Sequence, residues 1–235
     1  MPKITDISQL DLNQTYSYAD YLTWQFNETV ELIKGKIMLM SPAPNVEHQR
    51  IERKLLVAID PHLKDKKCEL FPAPFDVRLY HRKKSLLASH DCMDATTKGW
   101  SMDRGRAPTV GALGDAGAVA EDIHTVVQPD LCVICNPDIL DKRGCNGAPG
   151  WIIEILSKGT AKRDMQLKYE LYQENGVQEY WIVYPNDQAV HQFVLDDNEC
   201  YQLKHMYTDD DIATPYLFPD LAIDLSEIFE TWQEP

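Results

Sequence analysis

A single glutamate interrupts one of the most apolar segments of the chain. Residues 151–156 read Trp-Ile-Ile-Glu-Ile-Leu, a run that is typical of a strand buried on both faces. A carboxylate is seldom buried in such a strand unless it is paired with a cation or bound to a metal. Any fold of this chain must therefore provide Glu154 with a charged partner inside the protein.

A second acidic residue, Asp130, follows a proline within the apolar run of residues 125–134. We expect a bulge or a strand edge at Pro129, where the aspartate side chain can be redirected. Two carboxylates on adjacent strands of one sheet can share a hard divalent cation, which polarises a phosphodiester oxygen and lowers the pKa of its bound water. The same pattern fits strand-end carboxylates paired with lysine or arginine, so the residues alone leave both interpretations open.

Apolar periodicity and turn residues predict alternating helices and strands along the chain. Helices are expected at residues 15–22, 46–63, 160–174 and 225–232, and strands at residues 30–40 (a hairpin about Gly35), 68–71, 75–80, 125–134, 151–156, 179–184, 190–195, 201–206 and 221–223. This order indicates an α/β (α+β) fold, in which helices flank a mixed central sheet that carries extra antiparallel hairpins. We expect the 235 residues to form a single domain.

Two segments lack a clear pattern. Residues 136–149 are rich in turn-forming residues and are predicted to be a loop. Residues 82–121 are rich in Gly, Ala, Ser and charged residues and show no sustained period. We interpret this second segment as an irregular insertion outside the core.

Charge and hydropathy limit the classes of function. The formal net charge of −14 argues against a protein that coats DNA by non-specific attraction, although a bound cation or a local basic patch can dominate at one site. No apolar stretch approaches the roughly 18 residues that a membrane span requires. The N-terminus lacks the basic and then apolar pattern of a signal peptide. We therefore expect a cytoplasmic protein that does not enter the membrane.

The cysteines offer a further expectation about compartment and metal binding. Six are present, Cys68, Cys92, Cys132, Cys135, Cys145 and Cys200. In a cytoplasmic protein of this length we expect reduced thiols in the core. Cys132 and Cys135 form a C-x-x-C pattern on a predicted strand, where residues three apart point to opposite faces, so they do not predict a zinc site.

Several segments, in order, resemble the PD-(D/E)XK nuclease superfamily and, more narrowly, its "putative restriction endonuclease" family of small bacterial proteins. The central feature is Pro129-Asp130 followed by Glu154 on the next predicted strand. The similar segments are residues 18–22, 30–35, 40–44, 48–51, 73–78, 126–130, 143–145, 147–149, 153–157, 163–164 and 177–183. The likeness covers nearly the whole chain except residues 82–121.

This resemblance implies a metal-dependent endonuclease that hydrolyses phosphodiester bonds of DNA. Asp130 and Glu154 would hold Mg²⁺ or Mn²⁺. Many nucleases pair symmetrically to cut both strands, so a homodimer is compatible with the resemblance.

The superfamily's lysine, two residues after the glutamate, is replaced here by Leu156. Lys158 keeps the same parity but lies at or beyond the strand end. Lys168 on the following helix is the better substitute. Asp164, Lys168 and Tyr172 share one helix face, and the resemblance implies that the family's lysine lies there. Such a lysine would orient the attacking water or stabilise charge on the phosphoryl group. Alternatively, Asp164 and Lys168 form an ordinary surface ion pair.

The resemblance adds Glu31 and His48 to the site. Glu31 would be a further ligand or a water-positioning acid, or simply a solvent-facing strand carboxylate. His48 would contact the scissile phosphate or carry a proton near neutral pH, or it is a histidine at a helix start without a chemical role.

A non-catalytic nuclease-fold protein that acts as a binding or regulatory module is the alternative function. Three features favour it, namely Leu156 in place of the lysine, the negative net charge and the irregular insertion.

Overall fold

In the computed structural model, the described residues form two six-stranded mixed sheets, a two-stranded sheet and four α-helices. The structure describes residues 3–40, 45–80, 120–157 and 161–230, with only the backbone of residues 161–164. The predicted insertion, residues 82–121, therefore lies almost wholly outside the described residues. The mixed sheets and flanking helices agree with the predicted fold class.

The secondary structure elements follow the chain in this order. The helices are α1 Tyr18–Tyr21, α2 Val46–Leu63, α3 Ala161–Asn175 and α4 Leu225–Phe229, with short 3-10 helices at Ile7–Gln9 and Pro137–Ile139. The strands are β1 Val30–Ile33, β2 Lys36–Leu39, β3 Glu69–Pro72, β4 Asp76–Leu79, β5 Thr125–Val127, β6 Leu131–Ile134, β7 Leu140–Asp141, β8 Gly144–Asn146, β9 Trp151–Ile155, β10 Glu179–Tyr184, β11 Ala189–Leu195, β12 Tyr201–Thr208, β13 Ile212–Ala213 and β14 Ile223–Asp224.

The first sheet has the strand order β2-β1-β5-β4-β8-β7, and the second has the order β12-β11-β10-β9-β6-β3. Only the pairs β4–β8 and β9–β10 are parallel within these two sheets. Strands β13 and β14 form a separate antiparallel pair. Strand β9, which carries Glu154, thus lies in the interior of the second sheet between β10 and β6.

Both faces of the second sheet are covered, which explains why its central strands are almost wholly apolar. On one face, Ile153 and Ile155 pack against the apolar stripe of α2 and against α4. On the other face, Ile152 packs with residues of α3 and of the first sheet. Glu154 shares the alternation of Ile152 and therefore points toward the first sheet and α3.

Helix α2 has the bounds that the sequence predicts, Val46–Leu63. Asn45 caps it, because its Oδ1 accepts a hydrogen bond of 2.8 Å from the backbone N–H of His48. Pro61 lies in the last turn, and the helix continues to Leu63. The cap fixes His48 in the first turn, with its side chain buried.

The predicted strand at residues 125–134 is wrong in one respect, since it is two strands in different sheets. Strand β5 pairs with β1 and β4, whereas β6 pairs with β3 and β9. The chain crosses from the first sheet to the second at Gln128, Pro129 and Asp130. Proline cannot donate to a strand ladder, which is why the pairing stops there.

Shorter elements also differ from the prediction. The N-terminal helix is confined to Tyr18–Tyr21. Residues 136–149 are not wholly a loop, because β7 and β8 form within them and β8 joins β4. Strand β8 begins with a glycine because the backbone of Asp76 lies very close to it. A Cβ on Gly144 would clash with the carbonyl oxygen of Asp76. The last strand begins at Ile223 rather than at residue 221.

The expectation of reduced core thiols is wrong for Cys68 and Cys135, which form a disulfide. Strands β3 and β6 pair with Glu69 opposite Ile134, so one step along the ladder Cys68 and Cys135 face each other. Cys132 and Cys145 are buried thiols, as predicted. In the described ranges, no helix combines the length and the apolar character that a membrane crossing requires.

Candidate active site

Glu154 is buried in β9, with 8% of its surface exposed. Two donors from α3 converge on one of its oxygens. Lys168 Nζ lies 3.0 Å from Glu154 Oε1, and Tyr172 donates its hydroxyl to the same oxygen at 2.6 Å. These two residues are one helical turn apart, so a single face of α3 supplies both contacts.

Glu31 comes to the same lysine from the other sheet. It lies on β1 with 5% of its surface exposed, so it is not the solvent-facing carboxylate of the alternative interpretation. Its Oε1 lies 3.1 Å from Lys168 Nζ and accepts a hydrogen bond of 3.0 Å from the backbone N–H of Gln128. Lys168 therefore joins one carboxylate of each sheet.

Asp130 lies at the end of the crossing segment, directly before β6. Because Leu131 pairs with Ile153, the next position along the ladder brings Asp130 beside Glu154. Its Oδ2 accepts a hydrogen bond of 2.6 Å from the backbone N–H of Ile155. The two predicted carboxylates are thus neighbours at the same end of the second sheet.

His48 points from the first turn of α2 toward Asp130. Its Nε2 lies 3.2 Å from Asp130 Oδ2, and its Nδ1 lies 3.9 Å from Glu52 Oε2, one turn further along the helix. The imidazole is buried, with 5% of the residue exposed. This geometry suits a side chain that orients the aspartate better than one that reaches out to a phosphate.

Burial and charge shift the ionisation of the site in opposite directions. Burial raises the pKa of Glu154 to about 7, even though Lys168 opposes the rise. Burial alone would lower the pKa of Lys168, but Glu154 and Glu31 outweigh it and raise that pKa, so the amine stays protonated. Burial likewise favours neutral His48, yet its hydrogen bond to Asp130 raises the pKa of the imidazole overall.

The structure thus brings together Asp130, Glu154, Lys168, Glu31 and His48, the five residues chosen from the sequence. Leu156 packs at the edge of the apolar core beside α3 and contributes no charge. Lys158 lies outside the described residues, as does the side chain of Asp164. The surface pair proposed for Asp164 with Lys168 is therefore not described, whereas the contacts of Lys168 with Glu31 and Glu154 are.

Three polar residues of this region were not assigned a role from the sequence, namely Tyr172, Gln128 and Asp76. Tyr172 shares the helix face of Lys168, and this spacing was the one available signal. The contact between Gln128 Nε2 and Asp76 Oδ1, at 2.8 Å, joins residues 52 positions apart. No periodicity could reveal such a pair, because it depends on how β4 and β5 align.

The carboxylates can be tested for their fit to a metal ion. Among the residues that the structure describes, no group of three or more His, Cys, Asp or Glu residues is arranged to hold one. In each of these two carboxylates, one oxygen contacts the donors that the structure describes. That oxygen is Oδ2 in Asp130 and Oε1 in Glu154. The other two oxygens, Asp130 Oδ1 and Glu154 Oε2, accept no hydrogen bond from the described residues. In ligand type, two carboxylates with several waters are a set that Mg²⁺ commonly takes.

Comparison with known proteins identifies the family. The family model described as "Uma2: Putative restriction endonuclease" matches residues 99–226. The chain belongs to this family. The matched range contains Asp130, Glu154 and Lys168, while Glu31 and His48 precede it. Family membership supports a nuclease-type function.

A solved structure shares the fold. It is the crystal structure of a "putative nuclease belonging to DUF820" from Anabaena variabilis ATCC 29413, which is 18% identical to this chain. The TM-score is 0.58, and the alignment covers 91% of this chain and 97% of the other. At this identity the likeness concerns the fold alone. None of the curated proteins matches the chain.

Proposed function

We propose that this protein is a Mg²⁺- or Mn²⁺-dependent endonuclease that hydrolyses phosphodiester bonds of DNA. The observation that carries the proposal is the pairing of Glu154, buried in the interior of the second sheet, with Asp130 at the end of the adjacent strand. A buried carboxylate beside a second carboxylate is costly to maintain. A functional requirement for the pair explains its presence, and the nuclease family supplies the chemistry.

Asp130 Oδ1 and Glu154 Oε2 are the atoms that would hold the cation. When bound, a divalent ion would polarise a phosphodiester oxygen and lower the pKa of its water. Lys168 is kept protonated by Glu154 and Glu31, so it would stabilise negative charge on the phosphoryl group rather than accept a proton.

Glu31 and His48 would act through these groups. Glu31 accepts from Lys168 Nζ at 3.1 Å and would keep the ammonium group beside Glu154. His48 Nε2 lies 3.2 Å from Asp130 Oδ2 and would orient the aspartate, as a hydrogen-bonded neighbour of a metal ligand does. DNA as the substrate, a cytoplasmic location and a homodimer remain predictions.

A plasmid-nicking assay tests the proposal. Purified protein with Mn²⁺ should convert supercoiled DNA to the nicked form, and Asp130→Ala and Glu154→Ala should each abolish this conversion. Glu69→Ala is the matched control, because Glu69 is an exposed carboxylate on β3 opposite the other end of β6. Equal nicking by all preparations would assign the activity to a contaminant and reject the proposal.

A non-catalytic binding or regulatory module is the second candidate. It is favoured by the lack of a group of three potential ligands among the described residues and by Leu156 in place of the usual lysine. Calorimetry separates the two candidates. Heat of Mn²⁺ binding that disappears in Glu154→Ala supports the enzyme, and no binding at millimolar Mn²⁺ by the unaltered protein supports the module.

A further inference from the structure

The segment that carries Asp130 is fixed at both of its ends, each to a different sheet. At its far end, Asp130 Oδ2 accepts from the backbone N–H of Ile155 in the second sheet at 2.6 Å. At its near end, Gln128 Nε2 donates to Asp76 Oδ1 in the first sheet at 2.8 Å. Only Pro129 separates the two residues. The position of the aspartate therefore depends on a contact made two residues earlier.

Among the described residues, Gln128 donates hydrogen bonds to three partners, all in the N-terminal third of the chain. Its backbone N–H donates to Glu31 Oε1 at 3.0 Å. Its side-chain amide reaches Asp76, and also the hydroxyl of Tyr21 at 3.4 Å. Main chain and side chain thus hold different partners, so a substitution of the side chain leaves the Glu31 contact possible.

Asp76 is an unusual acceptor for this position. It lies at the start of β4, half-buried, next to the strand pair formed by Val77 and Val127. Burial raises the pKa of Asp76, and the hydrogen bond from Gln128 partly offsets this rise. A half-buried carboxylate is costly to keep. Its hydrogen-bond partners are Gln128, which begins the crossing segment, and the hydroxyl of Tyr21.

We infer that Gln128 and Asp76 are positioning residues of the proposed active site. Their contact fixes the crossing segment against the first sheet and thereby sets where the Asp130 carboxylate lies relative to Glu154. Neither residue touches the reacting groups. The role of Asp76 is to accept a hydrogen bond, and its negative charge is not required. The expected effect on catalysis rests on the proposed function, whereas the effect on the position of Asp130 does not.

Four variants test the inference. Gln128→Met keeps the length of the side chain and removes its donors, and Asp76→Ala removes the acceptor. Asp76→Asn retains an oxygen that can accept from Gln128 and should behave like the unaltered protein. Gln202→Met is the matched control, because Gln202 Nε2 makes the same kind of contact with Asp196 Oδ2, at 3.0 Å, in the β11–β12 hairpin.

Three measurements are made on each variant. In the nicking assay, Gln128→Met and Asp76→Ala should lower kcat by about 10- to 100-fold with little change in KM for DNA, because a displaced group loses catalysis more than binding. Affinity for Mn²⁺ by calorimetry should fall about 10-fold, as for other neighbours of metal ligands. Hydrogen exchange of the Ile155 amide should become faster, because its acceptor Asp130 has moved.

The exchange measurement separates the two proposals. Suppose that the unaltered protein does not nick DNA but the Ile155 amide exchanges faster in Gln128→Met. The nuclease proposal would then be rejected, and the positioning role would be supported. Unchanged exchange and Mn²⁺ affinity, with an active enzyme, would reject the positioning role alone. If Asp76→Asn were as impaired as Asp76→Ala, the inference about the acceptor would be wrong. Should Gln128→Met not fold, Gln128→Asn serves instead, since its amide is one methylene too short to reach Asp76.

Discussion

Tyr172 of α3 donates its hydroxyl to Glu154 Oε1 of β9 at 2.6 Å, and both residues are buried. The shared oxygen also accepts from Lys168. Glu154 is therefore held by one neutral and one charged donor, and the helix and β9 are joined through a single atom. This arrangement makes the stability of the protein depend on the same groups that we propose for the chemistry.

Replacing Tyr172 with phenylalanine should destabilise the protein by about 1.5–3 kcal/mol, the usual range for a hydrogen bond to a charged group. Urea denaturation measures the change. Tyr180→Phe is a close control, because the Tyr180 hydroxyl is buried without a hydrogen-bond partner among the described residues and its ring lies 5.1 Å from that of Tyr172. Equal losses in the two variants would show that the hydroxyl contact contributes nothing specific.

Lys168→Met should destabilise the protein more, by about 3–5 kcal/mol, because it leaves two buried carboxylates without their cation. Adding Glu154→Gln to this variant should restore part of the loss, since one of the two charges is then gone. A double-mutant cycle by denaturant titration measures the coupling. If the stability losses of Lys168→Met and Glu154→Gln simply added, the two side chains would not interact as the structure describes.

The metal-free protein should lose stability as pH rises from 4.5 to 7. Burial raises the pKa of Glu154 from its ordinary value of 4.5 to about 7, so in this window the folded state binds more protons than the unfolded chain. The free energy of unfolding then falls with increasing pH, by about 1.4 kcal/mol per unit of pKa difference. Denaturation in the presence of a chelator should show this slope, and Glu154→Gln should reduce it. If the stability of the unaltered protein and of Glu154→Gln changed with pH in the same way, the pH dependence would not come from Glu154.

His48→Ala should weaken Mn²⁺ binding by about 10- to 100-fold, the usual effect of removing a partner of a metal ligand. His62→Ala is the control, because His62 Nε2 makes a similar contact with Asp220 Oδ1, at 3.2 Å, on the surface. Calorimetry compares the two. Unchanged affinity in His48→Ala would mean that the imidazole does not orient Asp130 for the ion.

Glu179 is a third buried carboxylate, and it should prove structural. It accepts hydrogen bonds from Trp181 Nε1, Gln192 Nε2 and the backbone N–H groups of Tyr216 and Leu217. Gln192 Nε2 also donates to the carbonyl oxygen of Thr214, so Glu179→Ala leaves the other three donors unpaired. The loss of stability should be at least about 3 kcal/mol, given 1–3 kcal/mol for each buried unsatisfied group. Its Mn²⁺ affinity should match that of the unaltered protein at temperatures where both are folded. A selective loss of metal binding would instead add Glu179 to the site.

The sequence predicts the fold best where a pattern is long and local. Helix α2 has its apolar stripe and its bounds as expected, because both signals lie within one segment. Strands β7 and β8 escaped prediction because they are short. Strand β8 depends on pairing with β4, far away in the chain, and β7 pairs with β8. Residues 125–134 look like one strand because periodicity reports burial and does not report which sheet buries the strand.

Similar limits apply to the candidate site. Glu154 was found because a charge within an apolar strand is conspicuous, and Lys168 because the family resemblance implies a lysine on that face of the helix. Gln128 and Asp76 carry no such signal, since half-buried polar residues at strand ends are common. Their relation depends on three-dimensional alignment of β4 and β5, which the sequence pattern does not encode.

The disulfide between Cys68 and Cys135 spans 67 positions of the sequence. A single proteolytic cut anywhere between these cysteines would therefore yield two polypeptides that remain covalently attached. Such nicked protein would migrate as one species in a non-reducing gel and as two after reduction. The disulfide thus keeps the protein covalently in one piece even when the main chain is cut within this segment, which is more than a quarter of the sequence.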